Sequence, residues 1–98
     1  MLSGGERQSI CIARSMYFGV SLLILDEPTA ALSIKESSKV LEYINMVKEK
    51  GISIIFITNN VYHSHQVADR FMLMDRGIKI GEFYKKDMKP NDLIQMIS

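Results

Sequence analysis

Two adjacent carboxylates, Asp26 and Glu27, close the apolar run Val20-Ser21-Leu22-Leu23-Ile24-Leu25. Hard oxygen ligands match Mg²⁺, and a second carboxylate can orient a water and accept its proton, so metal and proton chemistry suit this position. A bare Asp-Glu pair is also an ordinary acidic turn. Ser3-Gly4-Gly5 opens a helical pattern. Free backbone N–H groups, the lack of a Cβ and the positive end of a helix dipole suit it to an anion, or to capping alone. Thr58-Asn59-Asn60 closes a further apolar run that begins at Ile52. In open parallel sheets ligands bind outside the carboxyl ends of the strands, which points to Asp26-Glu27 and Thr58-Asn59-Asn60.

The elements that must position these residues follow from periodicity and punctuation. Ser3 with Glu6 three residues later, followed by Ile12, Ala13, Met16 and Tyr17, predicts a helix over 4–18, ended by Gly19. Residues 20–25 read as a strand buried on both faces. A second capping box, Ser33 to Glu36, opens a helix with an apolar stripe of Val40, Leu41, Ile44 and Val47, ending at Lys48, Lys50 and Gly51. Residues 52–58 read as another buried strand. Strand, helix and strand make a βαβ unit with parallel strands, a right-handed crossover and helices covering both sheet faces. Beyond it the pattern predicts a helix over 61–68, a hairpin of strands 70–75 and 79–83 turning at Arg76-Gly77, and a helix from Pro90 to Ile97. The fold class is α/β, and no internal repeat, linker or domain boundary is visible.

Composition narrows the function. At 98 residues, 47% hydrophobic and 23% charged, the chain is one small globular domain at most. A net charge of +1 gives no electrostatic case for nucleic acid or an anionic membrane surface. The apolar run 18–25 is too short to cross a bilayer, and the first six residues have neither the basic start nor the apolar core of a signal peptide. A lone Cys11 allows no internal disulfide and reads as core. His63 and His65, two apart on a helix, read as solvated or partly packed, the methionines as core filling, and Lys85, Lys86 and Lys89 as a solvated face.

Leu2-Ser3-Gly4-Gly5-Glu6-Arg7-Gln8 and Leu22-Leu23-Ile24-Leu25-Asp26-Glu27-Pro28-Thr29, with Ile12-Ala13-Arg14 between them, resemble ATP-binding cassette ATPases in order and spacing. The former is similar to the LSGGQ signature and the latter to a Walker B strand with its glutamate. The stretch from Phe56 to Gly77, with Lys35-Glu36-Ser37, resembles the cassettes of bacterial simple-sugar importers of the ribose type. The resemblance implies a partial P-loop NTPase (RecA-like) parallel sheet flanked by helices, with a C-terminal hairpin, residues 1–98 forming the C-terminal part of one ATPase domain. It implies that Asp26 supports Mg²⁺ through its water shell and that Glu27 polarises the attacking water. It further implies that Ser3, Gly4 and Gly5, with Glu6 in the signature's last place, clasp the γ-phosphate of ATP held by a second cassette in a head-to-tail dimer. Transmembrane permease subunits are the other implied partners, nucleic acid is not one, and the location is peripheral, on the cytoplasmic face of the inner membrane.

Several departures qualify these expectations. Asn59 replaces the family's switch histidine, which contacts the γ-phosphate. An asparagine amide donates one hydrogen bond but cannot become cationic, so hydrolysis is expected to slow about 10²–10³-fold. In the turn Ala30-Ala31-Leu32-Ser33, at the D-loop, serine replaces the usual aspartate. The sequence contains no G-x-x-x-x-G-K followed by Ser or Thr. The phosphate-loop strand is therefore expected to be missing from inside the sheet, leaving the isolated chain inactive and prone to aggregate at unpaired edges. The expected function is that of an ATP-hydrolysing subunit for sugar import. The alternative is a non-catalytic truncated cassette that lends its signature to a partner, or a gene relic. A DNA-repair or translation ATPase shares the signature, but Thr29-Ala30-Ala31-Leu32 differs from the Asn-His-Leu-Asp turn usual in translation factors.

Overall fold

The computed structural model describes residues 4–97. Ser3 therefore lies outside the described residues. The chain divides into two compact units, Met1–Asn59 and Asn60–Ser98, each with its own buried side chains.

The first unit contains α1 (Gly4–Tyr17), β1 (Leu22–Asp26), α2 (Ile34–Glu49) and β2 (Ser53–Ile57). Ser33 caps α2 as the sequence predicts: its Oγ accepts from Glu36 N–H at 3.1 Å and donates to Glu36 Oε1 at 3.2 Å. The apolar stripe of α2, Val40, Leu41, Ile44 and Val47, is buried, and the chain leaves the helix through Gly51 at φ 87°, a left-handed conformation that suits glycine. Strands β1 and β2 pair in parallel from Leu22 opposite Ser53 to Asp26 opposite Ile57, so their carboxyl ends are level.

Neither strand is covered on both faces, contrary to expectation. Leu25 is buried and Leu23, Ile54 and Phe56 are half-buried on one face, whereas Leu22, Ile24, Ile55 and Ile57 on the other are each 47–59% exposed. Helices α1 and α2 pack against each other and contribute Ile12 and the α2 stripe to a single apolar interior. An unbroken apolar run shows that both faces can be buried but not which segment does so.

The apolar face of α1 is also rotated from its predicted position. Gly5, Ile12 and Ser15 are its buried residues, at helical spacing, while Tyr17 is 85% exposed and Ala13 is exposed. Cys11 sits off that stripe and is exposed, which corrects its reading as core.

The second unit contains α3 (Val61–Val67), β3 (Arg70–Asp75), β4 (Ile78–Tyr84), a 3₁₀ turn (Lys85–Asp87) and α4 (Pro90–Ile97). Asn60 caps α3, its Oδ1 accepting from His63 N–H at 3.0 Å. Strands β3 and β4 form an antiparallel hairpin whose turn residues, Arg76 (φ 51°) and Gly77 (φ 78°), are both left-handed, as a two-residue hairpin loop requires. Val67, Phe71 and Leu93 are buried here. His65 is half-buried, stacked on Phe71 at 5.8 Å with Nε2 2.8 Å from the Met88 carbonyl oxygen. Among the described residues no helix is long and apolar enough to cross a membrane.

Candidate functional site

The parallel register brings the residues after β1 against those after β2, although they are 31 and 32 positions apart. Glu27 N–H donates to the Ile57 carbonyl at 2.7 Å, extending the strand pairing by one residue. At that point the backbone of Glu27 turns left-handed, with φ 50°. The half-buried side chain reaches across to the end of β2, where Oε1 accepts from the Asn59 backbone N–H at 2.9 Å and Oε2 from Thr58 Oγ1 at 3.3 Å. Left-handed backbone at a non-glycine residue costs about 1–2 kcal/mol and persists where surrounding structure enforces it. The bond to Ile57 and the two carboxylate bonds provide that enforcement.

Asp26 is exposed, and its carboxylate has no hydrogen-bond or ion-pair partner among the described residues. The two neighbours are thus differently prepared. Asp26 offers unengaged hard oxygen atoms, whereas Glu27 is anchored and has lone pairs to spare for a water. Among the described residues no group of three or more His, Cys, Asp or Glu side chains could cage a metal ion. A single free carboxylate fits Mg²⁺ in its usual mode, which retains several waters and takes further ligands from phosphate. Asn59 is exposed and its side chain takes no part in holding Glu27, since the contact is through the main chain.

The N-terminus of α1 is built against the start of α2. Gly5 is buried and its N–H donates to Glu36 Oε2 at 3.2 Å. A Cβ on Gly5 would meet Glu36 Oε2 at 2.9 Å and Glu36 Cβ at 3.0 Å, and one on Gly4 would meet Leu32 Cδ2 at 3.0 Å. Close packing on the turn 32–36 thus favours glycine at position 5, whereas at position 4 the Leu32 side chain need give only slightly. Gly4 and Glu6 are exposed in this first turn, while the Gly5 donor already has an acceptor within the chain. The carboxylate of Glu36 therefore joins the α1 N-terminus to the α2 cap. Ala31, in the intervening turn, is the second left-handed non-glycine residue of the unit, at φ 62°.

Sequence reasoning overlooked Thr58 as a partner of Glu27 and Glu36 as a partner of Gly5. Thr58 was visible as a strand end and Glu36 as a helix cap, but nothing local connects either to its distant contact.

The βαβ unit and hairpin have the fold of an ATP-binding cassette. A nucleotide-free ATP-binding cassette from an ABC transporter superposes with a TM-score of 0.78 over 95% of this chain and 37% of its own length, at 22% identity. Residues 1–30 match the ABC transporter family profile. A xylose/arabinose import ATP-binding protein of Sulfolobus acidocaldarius is 46% identical over 92% of this chain and 35% of its own. A fructose import ATP-binding protein of Rhizobium meliloti is 40% identical over 99% and 37%, and a ribose import ATP-binding protein of Yersinia pestis is 30% identical over 98% and 19%. The chain is similar to ABC transporter ATP-binding proteins over nearly its whole length, and it spans about a third of the length of the first two relatives.

Proposed function

We propose that residues 1–98 are the C-terminal part of one ABC ATPase domain, in a subunit that hydrolyses ATP to drive sugar import. The observation that carries this reading is the level end of β1 and β2, where Asp26 is free and Glu27 is anchored beside it. In that role Glu27 orients the water that attacks the γ-phosphate and takes up its proton. Bound Mg²⁺, supported by Asp26, supplies charge neutralisation on the phosphates. Phosphoryl transfer depends mainly on positioning and charge stabilisation, and general-base assistance contributes about 10²–10⁴-fold. In that reading Ser3, Gly4 and Glu6 meet ATP held by a second cassette, and Gly5, expected from the resemblance to join them, instead packs this turn against Glu36. Permease subunits dock the assembly at the cytoplasmic face of the membrane, and the importer names of the relatives support sugar as the cargo class.

ATP hydrolysis by the complete cassette, assayed beside residues 1–98 alone, tests the reading. Mg²⁺-dependent turnover is expected from the complete cassette, with a loss of at least about 10²-fold in Glu27→Gln; the short chain is expected to be inactive. Unchanged turnover in Glu27→Gln would overturn the assignment.

A further inference from the structure

The Asn59 N–H alone does not fix where the Glu27 carboxylate points. A carboxylate held at one oxygen can still pivot about that bond, and Glu27 has a long side chain on a left-handed backbone. A second donor on the other oxygen removes the pivot, as it does in bidentate pairs. Thr58 supplies that donor, Oγ1 to Oε2 at 3.3 Å, because Asp26 and Ile57 are opposite each other and the next residues of both strands meet.

We propose that Thr58 is a positioning residue whose hydroxyl sets the orientation of the Glu27 carboxylate. The proposal rests on the reading of Glu27 as the group that polarises the attacking water. It also accounts for how the site accommodates Asn59. The contact from position 59 to Glu27 is made by the main chain, so a change of side chain there leaves the anchor intact.

Thr58→Val, close in shape but without the hydroxyl, and Thr58→Ser, which keeps it, separate orientation from packing. In the complete cassette, followed by NMR, Thr58→Val is expected to move the Glu27 carboxyl carbon resonance and to lower exchange protection of the Asn59 amide about tenfold. Thr58→Ser is expected to preserve both. The reverse order, with valine silent and serine disruptive, would show a packing role and overturn the proposal. If valine prevents folding, Thr58→Ala takes its place with the same expectation. In the complete cassette Thr58→Val should lower kcat about tenfold at unchanged KM for ATP, with recovery in Thr58→Ser. A wild-type kcat in Thr58→Val alongside an inactive Glu27→Gln would overturn the positioning role and leave the reading of Glu27 standing. A wild-type rate in Glu27→Gln would remove both.

Discussion

The two sheets have the same number of strands and differ in what they bring together. The antiparallel pair β3–β4 is closed by Arg76-Gly77, so its turn joins sequence neighbours. The parallel pair β1–β2 needs the whole of α2 as a crossover, and its carboxyl end unites Glu27 with Thr58 and Asn59 across 31 and 32 positions. A parallel pair therefore assembles side chains that no turn can, and its site depends on the crossover being packed.

The largest expected effect breaks that dependence. Ile12→Ala, at a fully buried position of α1, should destabilise the first unit by about 2–5 kcal/mol in urea titrations and lower the urea concentration at which the folded-state Asn59 amide resonance is lost. Leu93→Ala, an equally buried change in α4, should weaken the hairpin unit while leaving that resonance in place. Loss of that resonance at the same lowered urea concentration in both variants would mean that the units unfold as one. Next in size, Asn59→His in the complete cassette should raise ATP turnover about 10²–10³-fold, and no gain would remove the account of Asn59 as a weakened switch.

Gly5→Ala sharpens the comparison at the other end of the crossover. Its Cβ would press on Glu36, with an expected cost of about 1–3 kcal/mol that Glu36→Ala in the same chain should relieve in part, since Oε2 and Cγ go but the Cβ at 3.0 Å stays. Additive losses in thermal unfolding would argue against that contact. The smallest effect belongs to the hairpin: Gly77→Ala, at φ 78°, should cost about 1–2 kcal/mol without disturbing the Glu27 carboxyl signal.

Features governed by short-range rules were legible in the sequence. The Ser33 cap, the α2 stripe and the Arg76-Gly77 turn each lie within a few residues, and all formed as read. The carboxylates of Asp26 and Glu27 were found because strand ends are recognisable. The partners of Glu27 were not, since pairing Thr58 with residue 27 requires the register of two strands. The uncovered face of β1–β2 was missed for a related reason: Leu22, Ile24, Ile55 and Ile57 are as apolar as their buried neighbours, and composition alone cannot distinguish the two faces. Cys11 was misplaced because the α1 stripe is marked by Gly5 and Ser15, residues that a search for apolar spacing passes over.

The left-handed backbone of Glu27 has a consequence for selection. Glycine at position 27 would recover about 1–2 kcal/mol of backbone cost but forfeit two hydrogen bonds to a carboxylate, each contributing about 1.5–3 kcal/mol. The loss exceeds the gain, so folding alone favours a side chain that can reach Thr58 and Asn59. A library screened for heat resistance should accept glutamine as well as glutamate there, whereas one screened for turnover should keep glutamate, so the substitutions recovered at this one codon would report which property had been under selection.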